Sequence, residues 1–268
     1  MEMRPGVEFA DLSDIGCQRD QNEDSSAYWE PSSEEQLQSK GRLAVIADGM
    51  GGYEGGQEAS RMAVQTICET YANSEVADHQ VALVNSMRAA HKRIRNFALD
   101  HPDFFGMGTT CTAACIFADR LHYAHVGDSR LYLVRDGKIA QLTHDDSYVA
   151  RLVDSGALRP EEAENHPQRH ILTAALGIGE EPAFETPPAP LALQSGDTLL
   201  LCTDGLWGTV SNDELKEYVN SRSASEACRE LVRLAKERGG PDNITVQLLR
   251  IPQNGAPSEQ AAAGDASD

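Results

Sequence analysis

RLYLVRDGKIAQL, running from Arg130 to Leu142, decides the fold. Apolar and polar residues alternate on both sides of Asp136-Gly137, and a two-residue Asp-Gly step between alternating runs is the strongest short-range signal of a β-hairpin. Hairpins imply antiparallel pairing. Reading outward, further strand-like runs are Val7 to Leu12, Ser25 to Trp29, Arg42 to Ala47, Thr110 to Phe117, Leu121 to Val126, Asp197 to Cys202 and Asn243 to Arg250. Pro31 to Gly41 lies between two of these runs and reads as an exposed hairpin loop.

Helical periodicity fills the intervals. Val84, Met87, His91, Ile94 and Ala98 recur at steps of three and four across His79 to Leu99, and His91 in that stripe reads as a packed helix residue, not a ligand. Gln57 to Tyr71 forms another helix, Ser211-Asn-Asp-Glu214 is a capping box that opens a third, and Ser225 to Arg238 forms a fourth. Pairs of helices separated by runs of hairpin strands predict an α+β fold in which helices cover mainly antiparallel sheets.

Composition bounds what such a fold can do. The chain has 268 residues, 40% of them hydrophobic, enough to bury a substantial core in one domain spanning residues 1–251. A formal net charge of -19 argues against nucleic acid and against an anionic membrane as partners. The six cysteines, Cys17, Cys68, Cys111, Cys115, Cys202 and Cys228, form no CxxC pair and read as reduced thiols. MEMRPGVEFADLSD has no apolar leader and no run is long enough to cross a bilayer, so the expected location is cytoplasmic. Residues 252–268 lack bulky apolar side chains and read as a disordered polar tail.

The chemistry lies in the aspartates. Asp24, Asp48, Asp128, Asp204 and Asp242 each abut an apolar strand, and four of the five touch glycine or asparagine. VIADGMGG, Val45 to Gly52, is the plainest case: a buried strand delivers one carboxylate into a glycine-rich loop. Any one of these aspartates could be a turn former, but a turn former at the end of so many strands explains the set poorly. Strand ends of stacked sheets can converge at one edge, where several carboxylates would repel one another unless hard cations neutralised them. Oxygen donors without clustered His or Cys point to Mg²⁺ or Mn²⁺ over zinc.

RDQNED (Arg19 to Asp24), VIADGMGG, MGTT (Met107 to Thr110), HVGDSR (His125 to Arg130), LTAALG (Leu172 to Gly177), LLLCTDGLW (Leu199 to Trp207) and GGPDNITV (Gly239 to Val246) follow one another in order. This ordered set resembles the metal-dependent protein phosphatases of the protein phosphatase 2C type, in particular the compact bacterial members. The resemblance implies a four-layer α-β-β-α sandwich, two stacked mainly antiparallel sheets flanked by helices, with a metal centre in a cleft at one edge. It implies hydrolysis of phosphoserine and phosphothreonine in proteins by a metal-activated water, with phosphorylated proteins as partners and a Ser/Thr protein kinase as the opposing enzyme. Two ions of Mn²⁺ or Mg²⁺ would occupy the core, with a third, weaker one beside them.

Carried over residue by residue, the resemblance makes Asp48 the bridge between the two ions and the carbonyl of Gly49 a ligand to one. Asp204 and Asp242 complete the protein ligands of the other. Glu23 and Asp24 lie close by, holding water or touching the metal, Arg19 clamps the substrate phosphate, and Asp128 shares the third ion with Asp204. Met50 stands where many members have a proton-donating histidine, and a thioether cannot donate a proton, which leaves the general acid unassigned. HDDS, after Thr143, replaces the Asp-His-Ser of many relatives, so His144 has no carried-over role. Residues 145–185 correspond to the flap beside the cleft. Two other readings share the fold: a pseudophosphatase that only binds phosphoproteins, and a phosphatase of small phosphoesters.

Overall fold

The computed structural model describes residues 6–51, 55–163 and 166–252, so Gly52 of the glycine-rich loop and the predicted tail from residue 253 onward lie outside the described residues. Its strands are β1 (Glu8–Asp14), β2 (Asp24–Trp29), β3 (Arg42–Met50), β4 (Gly108–Thr109), β5 (Cys111–Phe117), β6 (Arg120–Val126), β7 (Arg130–Arg135), β8 (Lys138–Gln141), β9 (Leu191–Ala192), β10 (Thr198–Cys202) and β11 (Ile244–Arg250). The helices are α1 (Glu34–Lys40), α2 (Gly55–Ala72), α3 (His79–Asp100), α4 (Tyr148–Asp154), α5 (Pro160–Ala163), α6 (Asp204–Trp207), α7 (Asn212–Ser221) and α8 (Ala224–Glu237).

The hairpin that opens the sequence reading is present as β7 and β8. Arg135 pairs with Lys138, so Asp136 and Gly137 alone make the turn, and both have positive φ, +50° and +70°, as a two-residue type I′ turn requires. The strands form two antiparallel sheets, one in the order β1-β11-β10-β7-β8 and the other β2-β3-β5-β6-β9, with β4 pairing only the end of β3.

Period-two alternation builds the layers. In β3, Leu43, Val45 and Ala47 face α2 and α3, whereas Ala44 and Ile46 face the opposite sheet. In β10, Leu200 and Cys202 pack under α7 and α8, whereas Leu199 and Leu201 face Ile116, Leu121 and Tyr123 of the β2-β3-β5-β6-β9 sheet. Three cores therefore lie between four layers, helix, sheet, sheet and helix, as the family resemblance implies. Strands buried on both faces are held in register strongly, because a slip of one residue would turn every side chain to the wrong core.

Side-chain caps set the helix ends. Ser211 and Glu214 make the predicted capping box of α7, and Ser223 with Glu226 makes a second one on α8 that starts this helix at Ala224. Asp78 accepts hydrogen bonds from the Gln80 and Val81 amides at the start of α3. His91 is buried on α3, its Nδ1 accepting the Gly177 amide at 3.1 Å, which agrees with a packed residue.

Three local readings change. Pro31 to Gly41 does connect a hairpin, β2 to β3, but it carries the short helix α1, capped by Ser33. β3 runs past Ala47 to Met50 because β4 gives Gly49 and Met50 strand partners in Thr109 and Gly108. Asp204 opens a single helical turn, α6, after β10. All six cysteines are free thiols, with Cys17 exposed, Cys68 half-buried and the other four buried. Among the described residues, no helix is long and apolar enough to cross a membrane.

Candidate metal centre

Ladder register fixes the first pair of carboxylates. Asp24, the first residue of β2, lies opposite Asp48 in β3. The Asp48 main chain is held by the MGTT threonines: its amide donates to Thr110 Oγ1 at 2.9 Å, and its carbonyl accepts from the Thr110 amide at 2.9 Å and from Thr109 Oγ1 at 2.8 Å. Thr110 Oγ1 is itself 2.7 Å from Ser129 Oγ, tying this end of β3 to the segment that carries Asp128.

Gly49 is required by crowding. A Cβ there would sit 2.0 Å from the Gly56 carbonyl oxygen and 2.6 Å from that of Glu23, and one at Gly56 would meet the Glu23 carboxylate at 2.4 Å. The glycines thus let the start of α2 close onto the strand, and the Gly56 amide serves the Glu23 side chain.

The second sheet supplies the other acids. Asp204 follows β10, and its Oδ2 lies 3.3 Å from Nδ1 of His170, an exposed flap residue. Asp242 precedes β11, and its Oδ2 accepts from Arg19 Nη2 at 2.7 Å. Asn243 is the hub of this corner: its Oδ1 accepts from the Glu23 amide at 2.8 Å, and its Nδ2 donates to the Ile15 and Gln21 carbonyls at 2.9 Å each. The loop bearing Arg19 and Glu23 is thereby pinned to the root of β11.

Asp128 is buried at the third corner, and its carbonyl accepts from Trp207 Nε1 at 2.9 Å. The Trp207 ring lies under the Arg130 guanidinium at 3.6 Å, and Arg130 is gripped by both oxygens of Asp145. Asp145, the first aspartate of HDDS, therefore orients Arg130, and the second, Asp146, accepts the Gly127 amide through Oδ2 at 3.0 Å. His144 points away to Asp154.

Charge makes the cluster unstable as it stands. Burial, then the Asp24, Asp204, Asp128 and Asp242 charges, push the Asp48 carboxyl well above its ordinary range. Burial and the neighbouring Asp204 push Asp128 up as well. Asp24 is raised to about 7 by burial and by Asp204 and Asp242, against the pull of two threonine hydroxyls. Burial likewise raises Glu23, with Arg19 opposing.

The donor set fits divalent cations. Asp24 Oδ1 and Asp204 Oδ1 are buried with no hydrogen-bond partner among the described residues, so two carboxylate oxygens in the cluster lack any counter-charge or donor. Among the described residues, no three His, Cys, Asp or Glu side chains close around a single ion position. Oxygen donors that come from separate segments and are close enough to raise one another's carboxyls suit hard ions that keep water in their shells better than a closed zinc cage.

Residues 20–249 match the protein phosphatase 2C family. The chain belongs to that family. Among protein phosphatase 2C relatives, it is 38% identical to the serine/threonine protein phosphatase PstP of Mycobacterium tuberculosis over 91% of its own length and 45% of that protein. It thus spans about half the length of this relative. The protein phosphatase PhpP of Streptococcus pneumoniae is 37% identical over 93% of this chain and 100% of that one. Among solved structures, the catalytic domain of PstP in complex with two manganese ions superposes with a TM-score of 0.79 at 34% identity, covering 92% of this chain and 99% of that one.

The structure thus gathers Asp24, Asp48, Asp128, Asp204 and Asp242 at one edge, with Glu23 and Arg19 on the loop above and Gly49 beneath. Sequence reading passed over Thr203, Thr245, Asn243 and His170. Asn243 and Thr203 carried a signal in their positions beside Asp242 and Asp204; Thr245 and His170 owe their place to contacts between distant segments.

Proposed function

We propose that this domain hydrolyses phosphoserine and phosphothreonine in proteins, at a centre holding two Mn²⁺ or Mg²⁺ ions, with a third and weaker ion beside them. The observation that carries the reading is the set of mutually repelling buried carboxylates with two orphaned oxygens. Asp48, Asp204 and Asp242 would hold the pair, with the Gly49 carbonyl on one ion. Asp128 would share the third ion with Asp204. When bound, the ions supply Lewis acidity, which makes water a nucleophile near neutral pH and offsets charge on the transferred phosphoryl group.

The rest falls to the protein. Arg19 reaches across the cleft mouth and presents a planar fork of donors suited to phosphate. Glu23, its carboxyl raised by burial and anchored by the Gly56 amide, orients water at the rim. Met50, at the end of β3, has no proton to give, so the leaving alkoxide takes its proton from water or from another side chain. The flap, 145–185, borders the cleft through His170 and governs which phosphoproteins enter.

A Ser/Thr protein kinase would supply the substrate in a cytoplasmic setting, and the formal net charge of -19 disfavours nucleic acid and an anionic membrane as partners. A binding-only pseudophosphatase would need lost ligands, and every carboxylate of the set is kept. Purified protein incubated with phosphothreonine, phosphoserine and phosphotyrosine peptides, and with a small aryl phosphate, tests the reading with Mn²⁺, Mg²⁺ or chelator. Release from the first two peptides, abolished by chelator, is expected; turnover in excess chelator, or none with either metal, overturns it.

A further inference from the structure

One buried carboxylate crosses between the sheets. Asp24 is 7% exposed and begins β2 in one sheet; its Oδ2 accepts from Thr203 Oγ1 at 2.8 Å and from Thr245 Oγ1 at 2.6 Å, both in or next to strands of the other sheet. The hydroxyl protons are accounted for along the chain of contacts. Thr203 Oγ1 accepts the Thr245 amide at 3.0 Å while donating to Asp24, and the Thr203 amide donates to the Thr245 carbonyl at 3.1 Å. Because Thr245 spends its proton on Asp24, Ser13 Oγ at 2.8 Å must donate to it, and Ser13 in turn accepts from Asn22 Nδ2 at 2.9 Å.

The placement of these groups gives the contacts a purpose. Thr203 immediately precedes Asp204, and Thr245 lies three residues after Asp242. Asp24 stands opposite Asp48 in the β2–β3 ladder. The carboxylates of the metal centre come from both sheets, Asp48 from one, Asp204 and Asp242 from the other, so their separation depends on the contacts that cross between the sheets at this edge. Further along the same strands Gln247 Nε2 donates to the Ala27 carbonyl at 3.2 Å, but at the catalytic edge the two-threonine grip on Asp24 joins the layers.

We propose that Thr203 and Thr245 are positioning residues of the metal centre, acting through Asp24 to hold Asp204 and Asp242 at a fixed distance from Asp48. Asp24 is then the fastener between the sheets through Oδ2, and its unpartnered Oδ1 is left to hold water of an ion's shell, not to ligate directly. The inference rests on the reading of the cluster as a two-ion centre. Loss of one hydroxyl leaves Asp24 with a single donor and lets the ligand-bearing strand ends shift, and partners of this kind around a metal site are worth about 10- to 100-fold in affinity.

The test compares the parent with Thr203→Val, Thr245→Val, Thr203→Ser and Asp24→Asn, by Mn²⁺ calorimetry and by the rise in Tm that Mn²⁺ produces. The parent and Thr203→Ser should bind two Mn²⁺ alike. Each valine variant should still bind two, about tenfold more weakly, with a smaller Mn²⁺-induced rise in Tm and an unchanged KM for phosphopeptide at saturating metal. Valine variants with the parent's isotherm overturn the proposal, even if their metal-free Tm falls, because that is what a merely structural bond would do. Should a valine variant not fold, Asp24→Asn decides: two ions held more weakly support the fastener, whereas parent affinity, or one ion lost from the stoichiometry, overturns it. A parent that takes up no Mn²⁺ overturns the two-ion reading together with this one, whereas a binding parent with unaltered variants overturns the fastener alone.

Discussion

Asp24 and Asp48 face each other across the β2–β3 ladder, two acidic residues in direct register. Burial and neighbouring carboxylates, Asp204 and Asp242 among them, raise both carboxyls, Asp24 to about 7, so without ions the centre holds protons in the neutral range. For the metal-free fold, the stability these groups contribute is fully present below the ordinary value of 3.8 and is lost as pH rises through the raised one. Ions must displace those protons. Mn²⁺ affinity should therefore climb as pH rises through the neutral range, with proton release on binding measured by calorimetry in buffers of different ionisation enthalpy. Binding that is independent of pH across that range would contradict the raised values.

Asp48→Asn should remove nearly all phosphopeptide turnover while the fold persists, because in the proposed centre both ions would lose their shared ligand. Circular dichroism with an activity assay checks this. Near-parent turnover would place the bridge elsewhere.

Asp128 sits apart from that bridge, backed by Trp207 and the Arg130–Asp145 pair. Asp128→Ala should keep tight binding of two Mn²⁺ yet lose much of its turnover on phosphopeptides, with less loss on an aryl phosphate whose leaving group needs little protonation. Metal titration with kinetics on both substrates is the measurement. Loss of all metal binding would put Asp128 in the core pair.

Arg19→Ala should raise KM for phosphopeptides about tenfold with a smaller change in kcat, and Arg19→Lys should not restore it, since a point charge lacks the fork. Steady-state kinetics at saturating Mn²⁺ separates the two constants.

Gly49→Ala meets backbone on two sides, at 2.0 and 2.6 Å, and should cost about 3 kcal/mol or more, seen as loss of folded protein. Gly106 has positive φ but nothing within 4 Å, so Gly106→Ala should cost only about 1 kcal/mol in a denaturant melt.

Much of this was legible in the sequence. The nine strands signalled by alternation are all present, because strands packed in stacked sheets repeat their environment every second residue, and the Asp136-Gly137 turn has the geometry its residues demand. The five aspartates could be picked out because each ends an apolar run. What escaped were contacts that span the chain. Thr203 and Thr245 look like ordinary strand threonines until the other sheet brings Asp24 to them, 179 and 221 residues away. β4 and β9, at two residues each, are too short to show a period, and the helix α1 is short, polar and without a buried face.

The placement of β11 has a consequence for how the protein is made. This strand lies between β1 and β10, so among the described residues β1 pairs only with β11. A growing polypeptide therefore carries β1 as an unpaired edge until residue 250 has left the ribosome, and Asp242 arrives with that same segment. Helices α2 and α3 and their sheet can form earlier from nearby sequence, whereas the metal centre comes into being only when the ends of the domain meet. Assembly of the proposed metal centre should thus wait for β11, and a chain stalled before Ile244 should behave as a half-built, aggregation-prone intermediate with an exposed strand.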